Sequence, residues 1–570
     1  HCESSAASDV YKRQTENKWG APNPITKQKF GFNIASANSG RTIVVAAPKF
    51  SDEGQIYILN REFNTGIQTL QVTQGFAISD NSSDNIVSDA GLPALGTSLA
   101  LSNDGTVLVA GASEASNFKA ADDSTYASGF RVSVGNIDVA PSVFDREGVV
   151  TLHTYDTAEN LFKRNYVIGC SEPESDLHFG ASVLVSNTKL LVGAPGKTNF
   201  QGKVYIYDKT TRPDGSTLDW DLSDHHILSI PNSRDGDRFG STMTANKDLS
   251  IVAISAPGYE EEGDDSTANK GAVFIYSLDS NNEYQLIQTI SSATFNQIDS
   301  GDSFGYSMDM SDNGTTLIVS APYDDQNTIN SGALYYFSKE VTADSTQDMY
   351  TYQQTIFSPL KQVQEQFGAK VSVNEDGTGF AVWSQHGQNQ LTTTFDKFTL
   401  LEDSSLGKTT RETTFDSQSL NIIDENYASG TVYTYTKLNT KFVYGQRLSS
   451  ETTQEFDEFG RGLIYTGNSL LVGAPNSKTA DLTDDIGSLF VYQKTGSSGW
   501  NKIRTQDDPT DPYSIKKSFT FNTLNNDVKD FLETIDPVKG KIPYLAEKEI
   551  SFKANIDPAS YTICLLYTSD

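Results

Sequence analysis

The chain has 570 residues, with 73 Asp and Glu against 43 Lys and Arg for a formal net charge of −30, a surface that repels phosphate backbones and argues against nucleic acid as a partner. Abundant Gly, Ser, Thr, Asn and aromatic residues, with no long apolar run at helical period, point to an all-β protein and offer no membrane segment. Of three cysteines only Cys170 lies away from the ends, which excludes a disulfide framework or a cysteine zinc site in the body of the chain.

Taken in chain order, both ends read as translated sequencing adapter. Asp9 to Gln14 can be encoded by a string whose reverse complement, one base on, encodes Cys564 to Ser569. Residues 1–14 and 564–570 are therefore set aside from fold reasoning, and the frame between them is expected to be a fragment truncated on both sides. Residues 15–29, with Trp19, Pro22 and Pro24, read either as the tail of an earlier outer strand or as a strand that closes a ring.

From Phe30 onward one unit recurs seven times, with copies starting near residues 30, 95, 179, 239, 304, 367 and 459. Its clearest copy runs from Phe304 to Phe337. An alternating stretch, Gly305 to Met310, meets the turn Ser311-Asp312-Asn313-Gly314, where Asn and Gly tolerate positive φ. Leu317 to Val319 is a short apolar strand that should stop at Ala321-Pro322, because proline removes a ladder donor. Gly332 to Phe337 and Tyr350 to Ile356 supply a third and a fourth strand. A four-stranded antiparallel sheet of this size cannot bury both faces alone, so the copies must stack against one another.

Three anchors recur in order: Phe-Gly, then Gly-Ala-Pro or a close variant, then a glycine opening the third strand. Phe179-Gly180 leads to Gly193-Ala194-Pro195 and Gly202, and Phe459-Gly460 leads to Gly473-Ala474-Pro475 and Gly487. The chain here resembles the FG-GAP repeat family, best known from the β-propellers of integrin α-subunits. The resemblance covers about residues 29–503 and implies an all-β, seven-bladed β-propeller of four-stranded antiparallel blades over residues 15–505. Two repeats are stretched between their second and third strands, at residues 113–147 and 385–429. Residues 506–563 read as a linker and the start of a truncated extra domain, with a helix expected near 525–535 and a strand near 548–554.

Because successive strands reverse, the fourth-to-first and second-to-third connections emerge on one face of such a ring. That face is the candidate ligand site, since loops on a rigid scaffold commonly carry binding, and the corresponding face of integrin-like propellers binds ligand. Its acidic residues, Asp237, Glu260, Asp264, Asp265, Asp302, Asp324, Asp325, Asp484 and Asp485, are candidate contacts; the bland alternative is a solvated acidic rim.

Integrin-type repeats carry a calcium loop, Asp-x-Asn-x-Asp-Gly-x-x-Asp, in the first hairpin. The nearest match here, Asp309, Asp312 and Asn313, lacks the closing aspartate, too few oxygens for a cation needing six to eight. No metal site and no cofactor is expected, loosely held Ca aside; the repeats resemble calcium-free variants. No nucleophile elbow, P-loop or dinucleotide fingerprint appears, the histidines form no zinc pair, and Cys170 reads as structural. The expectation is a non-enzymatic recognition or adhesion module, extracellular or on a particle surface, binding a protein or glycan. Two alternatives stand beside it: a structural propeller of a virion surface or tail fibre, and an accessory domain of an enzyme outside the fragment.

Overall fold

The computed structural model describes residues 18–19, 29–48, 54–64, 67–77, 94–115, 131–133, 145–159, 161–211, 218–261, 269–339, 349–359, 363–387, 394–400, 413–419, 429–449, 456–477, 486–494 and 499–502. The expected helix near 525–535 and strand near 548–554, like the two ends read as adapter, lie outside them. The chain divides into two units, residues 1–389 with 425–506, and residues 390–424 with 507–570. In the second, Thr394–Leu400 and Thr413–Ser419 pair antiparallel as a two-stranded sheet.

The first unit is a seven-bladed β-propeller. Each blade is built on an antiparallel sheet of four strands that run from the axis outward in chain order, with additions at the outer edges of blades two and seven. In the fifth blade these are Met308–Met310, Thr316–Ala321, Ala333–Lys339 and Tyr350–Phe357, and the second strand stops at the residue before Pro322. Innermost strands of successive blades are neighbours all the way round, the seventh against the first included. Of the two readings of residues 15–29, the pairing of Lys18–Trp19 favours ring closure. Lys18–Trp19 pairs antiparallel with Leu489 and Phe490 of the third strand of blade seven, while Trp500–Lys502 pairs with Tyr492 to Lys494 of that strand. The outermost strand of the last blade is thus supplied jointly by both ends of the ring.

What makes the repeat a repeat is a backbone contact between blades. The Phe N–H of Phe-Gly donates to the carbonyl just before the third-strand glycine of the preceding blade: Phe304 to Lys270 at 2.9 Å, Phe367 to Ser331 at 3.0 Å, and Phe30 to Ile486 at 3.0 Å, which closes the ring. That glycine must be bare. A Cβ on Gly332 would lie 2.2 Å from the Phe367 carbonyl oxygen, and its φ of +83° is already one that L side chains rarely adopt. The phenylalanine ring meanwhile packs edge-on against the third-strand aromatic of its own blade, as Phe304 does on Tyr335 and Phe179 on Tyr205.

A second tie runs round the outside. Gln288, in the outer strand of blade four, accepts from Tyr350 N–H at 2.8 Å and donates to the Tyr350 carbonyl at 2.9 Å. Gln354 holds Phe442 in the same way, at 2.8 and 3.0 Å, and Gln446 holds Trp500, at 2.8 and 3.2 Å. Each glutamine follows a one-residue bulge in its strand and covers an edge backbone that no further strand pairs among the described residues.

Candidate ligand face

The seven first-to-second hairpins meet around the axis and hydrogen-bond to one another. Lys247 N–H donates to the Asp312 carbonyl and Asp312 N–H to the Glu375 carbonyl, both at 2.9 Å. Glu375 accepts from Thr466 Oγ1 at 2.7 Å and Gly467 N–H at 2.6 Å. Asn187 donates to Asp104 Oδ2 at 2.7 Å and Asn38 to the Asp104 carbonyl at 3.3 Å. The hairpin glycines let these tips approach: a Cβ on Gly377 would stand 2.6 Å from Thr316 Oγ1. The calcium-loop candidates are absorbed in this arrangement. Asp309 accepts from Thr244 Oγ1, Met310 N–H and Val373 N–H at 3.0, 2.9 and 2.7 Å, and burial raises its pKa. Asn313 Oδ1 accepts from Ser311 Oγ, Thr315 N–H and Thr315 Oγ1. Among the described residues no group of three His, Cys, Asp or Glu side chains is placed to hold a metal ion.

The opposite face carries the fourth-to-first and second-to-third connections. Here several acidic residues depart from the picture of a solvated rim. Asp237, Asp302, Asp324 and Glu260 are buried, and Asp325 is exposed; Asp264, Asp265, Asp484 and Asp485 lie outside the described residues. The buried four close their own loops. Asp237 Oδ2 accepts from Arg234 N–H and Asp302 Oδ2 from Asp299 N–H, both at 2.7 Å. Asp324 accepts from Gln326 N–H at 3.0 Å and Tyr335 OH at 2.5 Å, and Glu260 Oε1 from Asn269 N–H at 3.1 Å. Burial, opposed by the Arg234 N–H bond, pushes Asp237 up to about 6. Burial aided by the charges of Asp324, Asp299 and Asp325 pushes Asp302 up to about 7.

Glu365 and Asp457 hold the same position as Asp237 and Asp302, two residues before Phe-Gly, and both are buried. Glu365 Oε1 accepts from Tyr433 OH at 2.8 Å and Ser384 Oγ at 3.1 Å. These two were missed as rim residues; their constant offset from Phe-Gly was the available signal. The residue between carboxylate and phenylalanine has positive φ, as at Arg238, Ser303, Gln366 and Glu458, and His178 has it too, where Leu177 takes the carboxylate's place.

Beside these inward-turned carboxylates the face shows apolar and aromatic groups. Ile329, Val363 and Phe456 are 63, 62 and 57 % exposed. The first two adjoin, Gln364 N–H donating to the Ile329 carbonyl at 2.7 Å. Near the axis Arg461 lies 4.2 Å from the centre of the Phe32 ring and pairs with Glu458 at 3.0 Å. Tyr306 stands edge-on to Tyr323.

Both long insertions have their bases pinched at this face, Gly148 N–H donating to the Ala115 carbonyl at 3.0 Å, and Ser429 and Thr431 hydroxyls to the Gly387 carbonyl. The first does more than decorate the face. Its segment Arg131–Ser133 pairs parallel with Tyr166 to Ile168 and gives blade two a fifth, outermost strand. Cys170 is buried, its thiol donating to Tyr205 OH at 3.2 Å, and burial raises its pKa, the environment of an inert thiol.

Residues 296–337, which form most of blade five, match the FG-GAP repeat, and this repeat stands in a seven-bladed β-propeller. No curated protein matches the chain. Among solved structures the chain is similar to a candidate 6-phosphogluconolactonase of Bacteroides uniformis, at 11 % identity and a TM-score of 0.45, covering 82 % of this chain and 96 % of that one. It is also similar to Sqt1 of Chaetomium thermophilum, at 9 % identity and a TM-score of 0.43 over 86 and 89 % of the two chains, and to Sqt1 of Saccharomyces cerevisiae, at 10 % and 0.41 over 86 and 87 %. No helix among the described residues is long and apolar enough to cross a membrane.

Proposed function

We propose that the propeller is a non-enzymatic recognition module that binds a protein or glycan through the face bearing the fourth-to-first and second-to-third loops, displayed outside a cell or on a particle. The observation that carries this reading is the contrast between the faces. The hairpin tips satisfy one another around the axis, whereas the loop face turns Asp237, Asp302, Asp324 and Glu260 inward and leaves Ile329, Val363 and Phe456 in water. Exposed apolar groups among polar loops favour association. The buried acids of this face act as loop anchors, and the partner contacts are assigned to the apolar and aromatic side chains with Arg461.

The test is a glycan array and a defined cell-surface panel probed with the full chain and with an Ile329→Ser, Val363→Ser, Phe456→Ser triple variant. These side chains are exposed, so the variant is expected to keep its melting temperature and lose binding by about tenfold or more. Ligand binding that survives the triple change undiminished would remove the loop face from the reading. Turnover of any substrate that vanishes on replacing a single rim carboxylate would overturn the non-enzymatic assignment.

A further inference from the structure

We propose that the peripheral groove between blades three and four is a binding site for a primary carboxamide, the side chain of a Gln or Asn in a partner peptide. At the next three junctions the protein fills this place itself: Gln288, Gln354 and Gln446 each hold both main-chain groups of an aromatic residue at the start of the outer strand in the following blade, Tyr350, Phe442 and Trp500. The residue of blade four in that register is Tyr284, which pairs with Leu278 as Tyr350 pairs with Lys339. The residue of blade three in the clamping register is His226, opposite Ile206, as Gln288 is opposite Ile275.

His226 does not clamp. The bulge before it sets Asp221 opposite Asp208 and His225 opposite Tyr207, so three residues are looped out where the glutamine strands loop out one. His226 is consequently exposed, and a groove of about 220 Å³ remains, lined by Lys189, Asp208, His226, Ile227, Glu283 and Tyr284 among others.

The backbone of Tyr284 faces this groove. Leu278 N–H donates inward to Ser250, and Asp279 N–H takes the Glu283 carbonyl. The Leu278–Tyr284 pair is therefore a non-hydrogen-bonded one, with the N–H and C=O of Tyr284 directed away from its own blade. A group offering one acceptor and one N–H donor side by side satisfies both, as the three glutamines do elsewhere. A carboxylate offers no donor and would meet Asp208 and Glu283. Lys189, buried, is already held by Asp208 at 2.5 Å and the Asn282 carbonyl at 3.4 Å, so it supplies a fixed wall instead of a free cation.

The experiment is fluorescence anisotropy of the full chain with labelled peptides of sequence Gly-Ser-X-Ser-Gly, acetylated and N-methylamidated so that X carries the one primary amide, where X is Gln, Glu or Ala. The Gln peptide is expected to bind about tenfold more tightly than the others, and Ile227→Arg and His226→Trp, which obstruct the groove from exposed positions, are expected to abolish the difference. Equal affinity for the three peptides, no binding up to roughly millimolar concentration, or a Gln preference untouched by both obstructing variants overturns the proposal. None of these outcomes bears on the loop face, which lies at another part of the ring.

Discussion

The two faces of the ring solve the same problem with different chemistry. Both must bring strand connections from seven blades together without leaving buried polar groups unpaired. The hairpin face does so with Asn and Thr side chains, backbone amides and glycines that let the tips touch, together with the carboxylates of Asp104, Asp309 and Glu375, which accept from neighbouring hairpins. The loop face uses a bare glycine under each Phe-Gly and a buried carboxylate two residues before it in blades four to seven. Sterics and acid groups therefore hold the loop face, where the buried carboxylate recurs in four successive blades, and its stability should depend on shape and on pH; the hairpin face has glycine contacts and the buried Asp309 of its own, so the difference between the faces is one of degree.

The largest expected effect comes from breaking the steric half of that contrast. Gly332→Val puts a branched Cβ where only 2.2 Å separates it from the Phe367 carbonyl oxygen, at a φ of +83°. The expected loss is about 3 kcal/mol or more, or failure to fold, read by thermal unfolding. A variant with an unchanged melting temperature would show that the blade junction is not held by this backbone contact. Next is pH. Asp302 titrates near 3.8 when unfolded and near 7 when folded, so between those values the native state holds a proton that the unfolded chain has lost. The stability this contributes is fully present below about pH 4 and disappears as pH rises through about 7. Asp302→Asn keeps an acceptor for Asp299 N–H and removes the charge. It should flatten that limb and make the protein more stable than the parent at pH 8, by on the order of 2 kcal/mol, with little change at pH 4. Parallel denaturation curves for the two proteins between pH 4 and 8 would contradict the assignment.

The same contrast explains how much could be read from residues alone. Phe-Gly and Gly-Ala-Pro recur because each blade reuses one junction, and a junction made of backbone leaves a signature of glycines that no other residue replaces. The number of blades and the face on which the loops gather follow from that signature and strand alternation. Asp237 and Asp302 were legible as rim residues. Their inward direction was not, because a carboxylate that caps its own loop and one that awaits a ligand are the same letter in the same turn. The glutamine clamp escaped for another reason. Gln288, Gln354 and Gln446 lie four residues after an aromatic, but they act across a blade boundary through a bulge, and register shifts of that kind have no fixed sequence mark. Ring closure by Lys18–Trp19 stayed open because a two-residue strand carries no periodicity.

A smaller and more discriminating effect lies at the glutamines. Gln446→Ala leaves the N–H and carbonyl of buried Trp500 without the partners they now have at 2.8 and 3.2 Å, a cost of about 1–2 kcal/mol. Nothing in that clamp titrates, so the loss should be the same at pH 5 and pH 8, unlike the loss at Asp302. Urea unfolding at the two pH values gives the comparison directly.

The smallest effect is expected at the hairpin tip of blade five, and it separates a turn from a cation loop. Asn313→Ala removes an oxygen that accepts from Ser311 Oγ at 2.7 Å and from Thr315 N–H at 3.0 Å on an exposed turn. Local bonds of this kind compete with water and are worth about 1 kcal/mol or less. If Asn313 only folds its own turn, parent and variant should differ by that amount in chelator and in millimolar calcium alike. A cation loop would instead let calcium stabilise the parent by mass action and not the variant, so a calcium-dependent gap between their melting temperatures would return the hairpin face to the calcium-binding class and undo the division of labour between the two faces.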